Sequence, residues 1–109
     1  MVIIPFQPFA SFVEEITLDR VPYRLLFTWN TRGEYWNLIV RNRQDENLLS
    51  TKVVLGTPLL FQFPGRGLPS GDIVIVDLAP SRSQYNRIEY DDFTGERGLQ
   101  VAYAEEAEL

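Results

Sequence analysis

The sequence predicts an all-β fold, a single antiparallel β-sandwich or small β-barrel built from a meander of about six to eight short strands. No segment keeps the 3.6-residue apolar period of a helix, and short stretches instead alternate apolar and polar residues. Clusters of Gly, Pro, Asn and Asp separate these stretches and indicate turns. We expect an extended arm at residues 1–8, one domain at residues 9–104 and an acidic, mobile tail at residues 105–109.

The stretch 23–41 predicts a hairpin around which the rest of the sheet is organised. Apolar side chains occupy alternate positions on both sides of a short polar connection, residues 31–34. A three-residue loop would pair Trp29 with Tyr35, whereas a four-residue loop pairs Trp29 with Trp36 and gathers the apolar side chains on one face. We predict the four-residue loop. The expected pairs are Trp29–Trp36, Phe27–Leu38 and Leu25–Val40.

Five further stretches carry apolar residues between turn-forming residues, the pattern of short strands. The predicted strands are residues 9–18, 48–55, 59–63, 72–78 and 97–104. In the first of them, Phe12, Ile16 and Leu18 share one face, on which Glu14 is the exception. The run 72–78 has the strongest β propensity, which predicts a central strand.

The arm at residues 1–8 is apolar but contains Pro5 and Pro8. Proline cannot donate a ladder hydrogen bond, so the arm is restricted to an edge strand or irregular structure. An apolar terminal arm needs a surface to dock on. It therefore either packs on its own domain or reaches a neighbouring subunit.

Composition excludes several classes of function. The 109 residues include no Cys and no His, which removes thiolate chemistry, the usual general base and the commonest metal ligand. We expect no enzyme, no catalytic residue, no metal and no cofactor. The net charge of −5 disfavours nucleic acid as a partner. The apolar runs are too short to insert across a membrane.

Two chemical alternatives stay open. The first is the acidic pair Asp91 and Asp92. Adjacent residues of an extended segment point to opposite sides, and the spacing of the acids does not match a calcium-binding loop. A carboxylate-based hydrolase would need two convergent acids.

The second alternative is a group of aromatic side chains. Their rings could form a sugar-binding platform, or they could pack as core with tyrosine hydroxyls at its rim. The candidate platform residues are Tyr23, Trp29, Trp36, Tyr35, Tyr85 and Tyr90.

Four motifs occur in a characteristic order along nearly the whole chain. They read ITLDRVPYRLLFTWNTRGEYW, GTPLLFQF, LPSGDIVIVD and DDFTGERGLQVAYAE, and a short arm with two prolines precedes them. In this order they resemble the small baseplate plug proteins of contractile-tailed phages, first described for a cyanophage and common in phages and prophages of Gram-negative bacteria.

The resemblance implies an all-β virion component at the central hub of the tail baseplate, near the end of the tail tube. Such a protein is assembled in the cytoplasm of the bacterial host and has no catalytic residues to carry over. Its partners would be other copies of itself and the tail-tube or baseplate hub proteins. Because tails have threefold and sixfold axes, we expect a symmetric assembly of three or six copies.

An assembly protein acts through its interfaces, and an apolar arm and an aromatic-bearing loop are suited to that role. We expect the arm and the long polar segment 79–96 to contact other subunits. The predicted interface residues are Val2, Ile3, Ile4, Phe6, Tyr85, Ile88, Tyr90 and Phe93. The alternative is a carbohydrate-binding β-sandwich used in host recognition, in which Tyr35 or Tyr85 would stack on sugar.

Overall fold

A computed structural model describes residues 2–56, 58–61, 67–77, 88, 90, 92–94 and 98–105 of the chain. Within these residues, seven strands form two antiparallel sheets. The strands are β1 (Val2–Ile4), β2 (Ser11–Leu18), β3 (Val21–Asn30), β4 (Tyr35–Arg41), β5 (Asn47–Lys52), β6 (Asp72–Asp77) and β7 (Leu99–Ala104). One sheet has the order β2-β3-β4-β5 and the other the order β1-β7-β6. The all-β prediction is confirmed, in its sandwich form.

The β3–β4 hairpin has the predicted register. Trp29 lies opposite Trp36, and the pairs Phe27–Leu38 and Leu25–Val40 follow. Leu25, Phe27 and Leu38 are fully buried, as the apolar alternation requires. The four-residue loop closes with two hydrogen bonds to Asn30, whose carbonyl accepts the Glu34 N–H and whose side chain accepts the Gly33 N–H.

A two-residue turn joins β2 to β3. Asp19 and Arg20 both have positive φ, 53° and 66°, which gives a type I′ geometry that suits the twist of the flanking strands. Pro22 fits within β3 because it lies opposite Thr17, where its nitrogen faces away from β2. The pairing of β4 with β3 reaches only Arg24, so no hydrogen bond is lost at Pro22.

The prediction of a central strand at 72–78 is wrong within the described residues. β6 (Asp72–Asp77) pairs only with β7, and β7 lies between β1 and β6. Propensity reflects how side chains fit a pleated surface and does not specify which strands have neighbours on both sides. The strand β7 is buried on both faces, as its position between two strands leads one to expect. Val101 lies on one face, Ala102 and Ala104 lie on the other, and all three are buried.

The predicted strand at 59–63 is also wrong where the structure describes it, at residues 58–61. Leu59 and Leu60 are buried in a bend, while Phe61 is 76% exposed. The Leu59 N–H donates to the carbonyl of Ile73, and the Leu60 N–H donates to the Asp72 carboxylate. A single main-chain acceptor and a side chain thus replace the repeating ladder of a strand.

Asp72 is the polar centre of this bend. Its Oδ1 accepts the Leu60 N–H at 2.7 Å and the N–H of Ile73 at 2.8 Å. Burial raises the pKa of the Asp72 carboxyl, and these two hydrogen bonds oppose that rise. Next to it, Gly71 donates to the Tyr103 hydroxyl. A Cβ at Gly71 would collide with the carbonyl of Ala104 and the ring of Tyr103.

We predict that Asp72→Ala lowers the free energy of unfolding by about 1–3 kcal/mol, because it leaves two buried N–H groups without an acceptor. Asp72→Asn, which keeps the Oδ1 acceptor, should lose less. Urea unfolding at pH 7 measures both variants. The control is Asp45→Asn, which removes an exposed ion pair with Arg24, keeps a residue type that tolerates the positive φ of this position, and should cost at most about 1 kcal/mol. A loss for Asp72→Ala no larger than that for Asp45→Asn would contradict the prediction.

Candidate interaction surface

The N-terminal arm docks on its own domain through β1 and Phe6. Val2, Ile3 and Ile4 pair with β7, and Ile4 is fully buried. Val2 and Ile3 are 46% and 49% exposed. The first of the two arrangements expected for the arm is therefore the one seen within the chain, and it leaves two aliphatic side chains on the surface.

Phe6 holds the arm against the core by aromatic contacts. Its ring stacks on Phe93 with centroids 4.4 Å apart and meets the rings of Phe12 and Trp36 edge-on at 4.8 Å. It also contacts Phe27 at 5.1 Å. Each such pair contributes about 0.5–1.5 kcal/mol beyond the area it buries. Phe6 is thus part of the packing that joins the arm to the sheets.

The described residues of the segment 79–96 contribute to both the core and the surface. Ile88 and Phe93 are 6% and 9% exposed and belong to the core, whereas Tyr90 is 42% exposed. Tyr85 lies outside the described residues. An apolar residue in a polar segment suggests an exposed contact, but here Ile88 and Phe93 belong to the chain's own hydrophobic core.

The predicted interface residues therefore fall into different environments. Val2, Ile3 and Tyr90 are exposed on the surface. Ile4, Ile88 and Phe93 are used inside the chain, and Phe6 is half-buried among the aromatic rings. That all eight residues contact other subunits stays a prediction.

The tryptophans close one end of the core. Trp36 is 1% exposed, and its Nε1–H donates to the carbonyl of Tyr90 at 3.3 Å. The Tyr90 ring stacks on Trp36 at 5.5 Å, and Trp29 meets both rings edge-on at 5.5 Å. The indole ring of Trp36 is therefore used for packing within the chain.

The other described rings of the candidate platform, Tyr23 and Tyr35, do not extend this group into a sugar-binding surface. Tyr23 is buried, and its hydroxyl donates to the carbonyl of Gly67. Tyr35 is half-buried beneath Lys52, whose Nζ lies 5.0 Å from the ring centroid. Among the described members of the candidate platform, Tyr90 is the one with a strongly exposed ring.

The outer edge of β2 is a candidate interaction surface that the sequence pattern did not predict. The main-chain groups of alternate residues bond to β3, as shown by the Trp29 N–H donating to the carbonyl of Ala10. The residues between them point their N–H and C=O groups away from the sheet, and no strand pairs with them within the described ranges. These residues are Ser11, Val13, Glu15 and Thr17, all exposed. Val13 on an otherwise polar face was the available signal.

A row of aliphatic side chains crosses the outer face of the same sheet. Val13, Leu26 and Ile39 are aligned on β2, β3 and β4. Val13 is 54% exposed and the other two are half-buried. Contiguous apolar side chains on a surface are typical of sites that bind another protein.

A line of charged side chains runs beside this row. Arg24 donates to Asp45 at 2.8 Å, while its Nε stands 4.0 Å from the Glu15 carboxylate. Arg41 donates to Asn47. Arg24 is thus committed mainly to Asp45, and Glu15 keeps a weak, exposed ion pair.

Glu14 is the inward-facing acid of β2. Gln7 of the arm donates to its Oε1 at 3.1 Å. Burial raises the pKa of Glu14 above its ordinary value of 4.5, and the hydrogen bond from Gln7 lowers it by less. The carboxyl therefore lies between the arm and the edge of the sheet, where its charged form is disfavoured.

A cleft of about 760 Å³ opens beside the β2–β3 turn, with Asp19 and Glu105 among its walls. The Asp19 carboxylate accepts the Ser70 hydroxyl at 2.9 Å. Glu14 and Asp72, the carboxyls with raised pKa, are not among its described walls. In the part of the chain that the structure describes, no three acids cluster to hold a metal ion and no helix is long enough to span a membrane.

We predict that Glu14→Gln stabilises the protein at pH 7. Because the folded pKa lies above the unfolded one, the native state holds the proton longer and the unfolding free energy falls as pH rises from about 4.5 through the folded pKa. Gln cannot ionise and keeps the acceptor for Gln7. The gain should disappear below about pH 4, where the native carboxyl is protonated. Urea unfolding at both pH values measures it.

Glu15→Gln is the matched control for this prediction, since it removes a carboxylate from the exposed face of the same strand. An equal gain at pH 7 for both variants would show that net charge, and not burial of Glu14, is the cause.

The chain matches one family of known proteins along nearly its whole length. Residues 1–106 match the family model described as cyanophage baseplate Pam3 plug gp18. No curated protein matches the chain. The match includes the arm, both sheets and the motifs singled out in the sequence. The chain therefore belongs to the family of cyanophage baseplate plugs and is a structural component of a virion tail baseplate.

Proposed function

We propose that this chain is a hub or plug subunit at the end of a contractile tail tube and that it works through protein–protein interfaces, without catalysis. The observation that carries the proposal is the set of large apolar side chains left exposed on a well-packed sandwich. They are Val2, Ile3, Phe9, Val13, Val21, Phe61 and Tyr90. Membership of the plug family supports the same conclusion.

Several of the exposed apolar side chains lie on packed elements of the sandwich. Val2 and Ile3 lie on β1, which Ile4 anchors in the core, and Val13 lies on β2. Tyr90 is fixed by its stacking on Trp36. Side chains held by packed strands lose little freedom on binding, so they suit a permanent assembly.

The proposed partners are other copies of the chain and the tail-tube or hub proteins, in a closed ring of three or six copies. A ring is the natural form at the axis of a tail. With a net charge of −5, the subunit is proposed to bind neither nucleic acid nor membrane.

The direct test is labelling of purified tails from the phage or prophage that encodes the chain. An epitope tag should be found at the distal end of the tube, and loss of the gene should give particles without a complete baseplate. Label along the whole tube, or complete tails without the gene, would contradict the proposal.

Paired substitutions on β1 test the contribution of the arm. Removing residues 1–8 would also remove Ile4 and Phe6 from the core, so point variants are required. We expect Val2→Ser with Ile3→Ser to reduce incorporation into tails at least about tenfold, because each side chain loses apolar area to bury. Quantitative blotting of purified tails measures incorporation.

The control for the arm is Arg43→Ser, an exposed substitution in the β4–β5 connection. Thermal unfolding should confirm that all variants fold. Unchanged incorporation of the folded double variant would exclude the exposed arm residues from the interface.

A further inference from the structure

The four-stranded sheet has two edges that can meet each other. On β2, the main-chain groups of Val13, Glu15 and Thr17 point outward. On β5, the Val53 N–H donates to the carbonyl of Trp36, which continues the ladder with β4. Alternation then directs the N–H and C=O groups of Ser50 and Lys52 outward. No strand pairs with either edge within the described ranges.

The strand order determines how two copies can meet. In an antiparallel sheet of four strands, the two edge strands run in opposite directions. A second copy related by rotation therefore brings its β2 antiparallel onto β5 of the first copy. Such a head-to-tail contact uses two different edges and closes into a ring when the rotation allows it.

We propose that copies of this chain associate head to tail, with β5 of one copy pairing antiparallel with β2 of the next, so that their four-stranded sheets join. The inference deepens the proposed plug function and rests on it for the meeting of several copies in the baseplate.

One register matches the side chains as well as the hydrogen-bonding groups. With Glu15 opposite Lys52 of the neighbouring copy, Thr17 lies opposite Ser50 and Val13 opposite Val54. A shift of one residue would exchange the two faces of the joining strand. A shift of two residues would place Lys52 opposite Val13 or Thr17 and separate the charges.

The two charged groups that this register brings together, the Glu15 carboxylate and the Lys52 ammonium group, are free to pair with a neighbouring copy. The side chain of Glu15 is 66% exposed and has Arg24 only at 4.0 Å. Lys52 is the only lysine of the chain. Its ammonium group lies over the Tyr35 ring, and no carboxylate pairs with it in the described part of the chain. A Glu–Lys pair directly opposite across two strands is favourable.

The register also covers an exposed apolar side chain. Val13, 54% exposed at the β2 edge, would lie against the end of β5 of the neighbouring copy. The two edges complement each other in hydrogen bonding and charge, which favours a second copy as the occupant over an unrelated strand.

The test uses disulfide cross-linking, which is unambiguous because the chain has no native cysteine. Residues opposite each other in neighbouring strands lie at a Cα separation of about 5.5 Å, within the range of a disulfide. The variant Thr17→Cys with Ser50→Cys, oxidised at high protein concentration and in assembled tails, should give a ladder of covalent oligomers. Each single variant should run as a monomer on a non-reducing denaturing gel, because it has no second cysteine opposite the first.

The matched control moves one cysteine to the interior of the sheet. Asn37 lies on the same outer face, on β4, so Thr17→Cys with Asn37→Cys should give no ladder. Disulfide dimers of a single variant would show a two-fold contact and overturn the proposal.

A charge exchange provides an independent measurement. Glu15→Lys and Lys52→Glu each place like charges opposite each other and should weaken association about tenfold or more. The double exchange restores opposite charges and should recover it. Sedimentation equilibrium measures all three variants beside the parent chain. Single variants that associate like the parent would overturn the proposal.

The two proposals fail separately. If the folded double-cysteine variant gives no ladder in solution or in tails, while labelling still finds the chain at the distal end, the edge pairing is wrong and the plug function stands. If the ladder forms but the label is absent from the baseplate, the edge pairing stands and the plug function is wrong.

Discussion

The pairing of Trp29 with Trp36 is the constraint on which the rest of the structure depends. It fixes the β3–β4 register, and with it which side chains face the core. Because β2 and β5 are bonded to this hairpin, their faces follow from the same register. A slip of one residue would put Leu25 and Phe27 into solvent and bring Arg24 into the core, an exchange that the burial of charge forbids.

The arm packs against this hairpin and supplies contacts that the two sheets would lack without it. Phe6 lies among rings from both hairpin strands and from Phe93, while β1 adds an edge to the other sheet. The arm thus connects the two layers. Because the arm connects the layers, some of its apolar residues, which by their pattern could bind another subunit, pack in the chain's own core.

The edge of β2 combines an open row of hydrogen-bonding groups with a half-buried, inward-facing acid, Glu14. An inward-pointing charge on an edge strand hinders indiscriminate pairing, because a new strand must accommodate it. Glu14, held by Gln7, occupies that position. An edge protected in this way can accept a complementary partner and resist random strands, which suits a baseplate component that must assemble in one arrangement.

Local pattern determined the fold class, the hairpin register and the inward face of β2, because alternation and turn residues act between neighbours in sequence. The sequence also lacks His and Cys, which disfavours thiolate and histidine chemistry, and the order of its motifs indicated the family. Tertiary structure alone decided that β7 lies between β1 and β6, that residues 58–61 bend onto Asp72, and that Ile88 and Phe93 are core. These depend on contacts between distant segments, whose side chains look alike in sequence whether they meet a partner or their own chain.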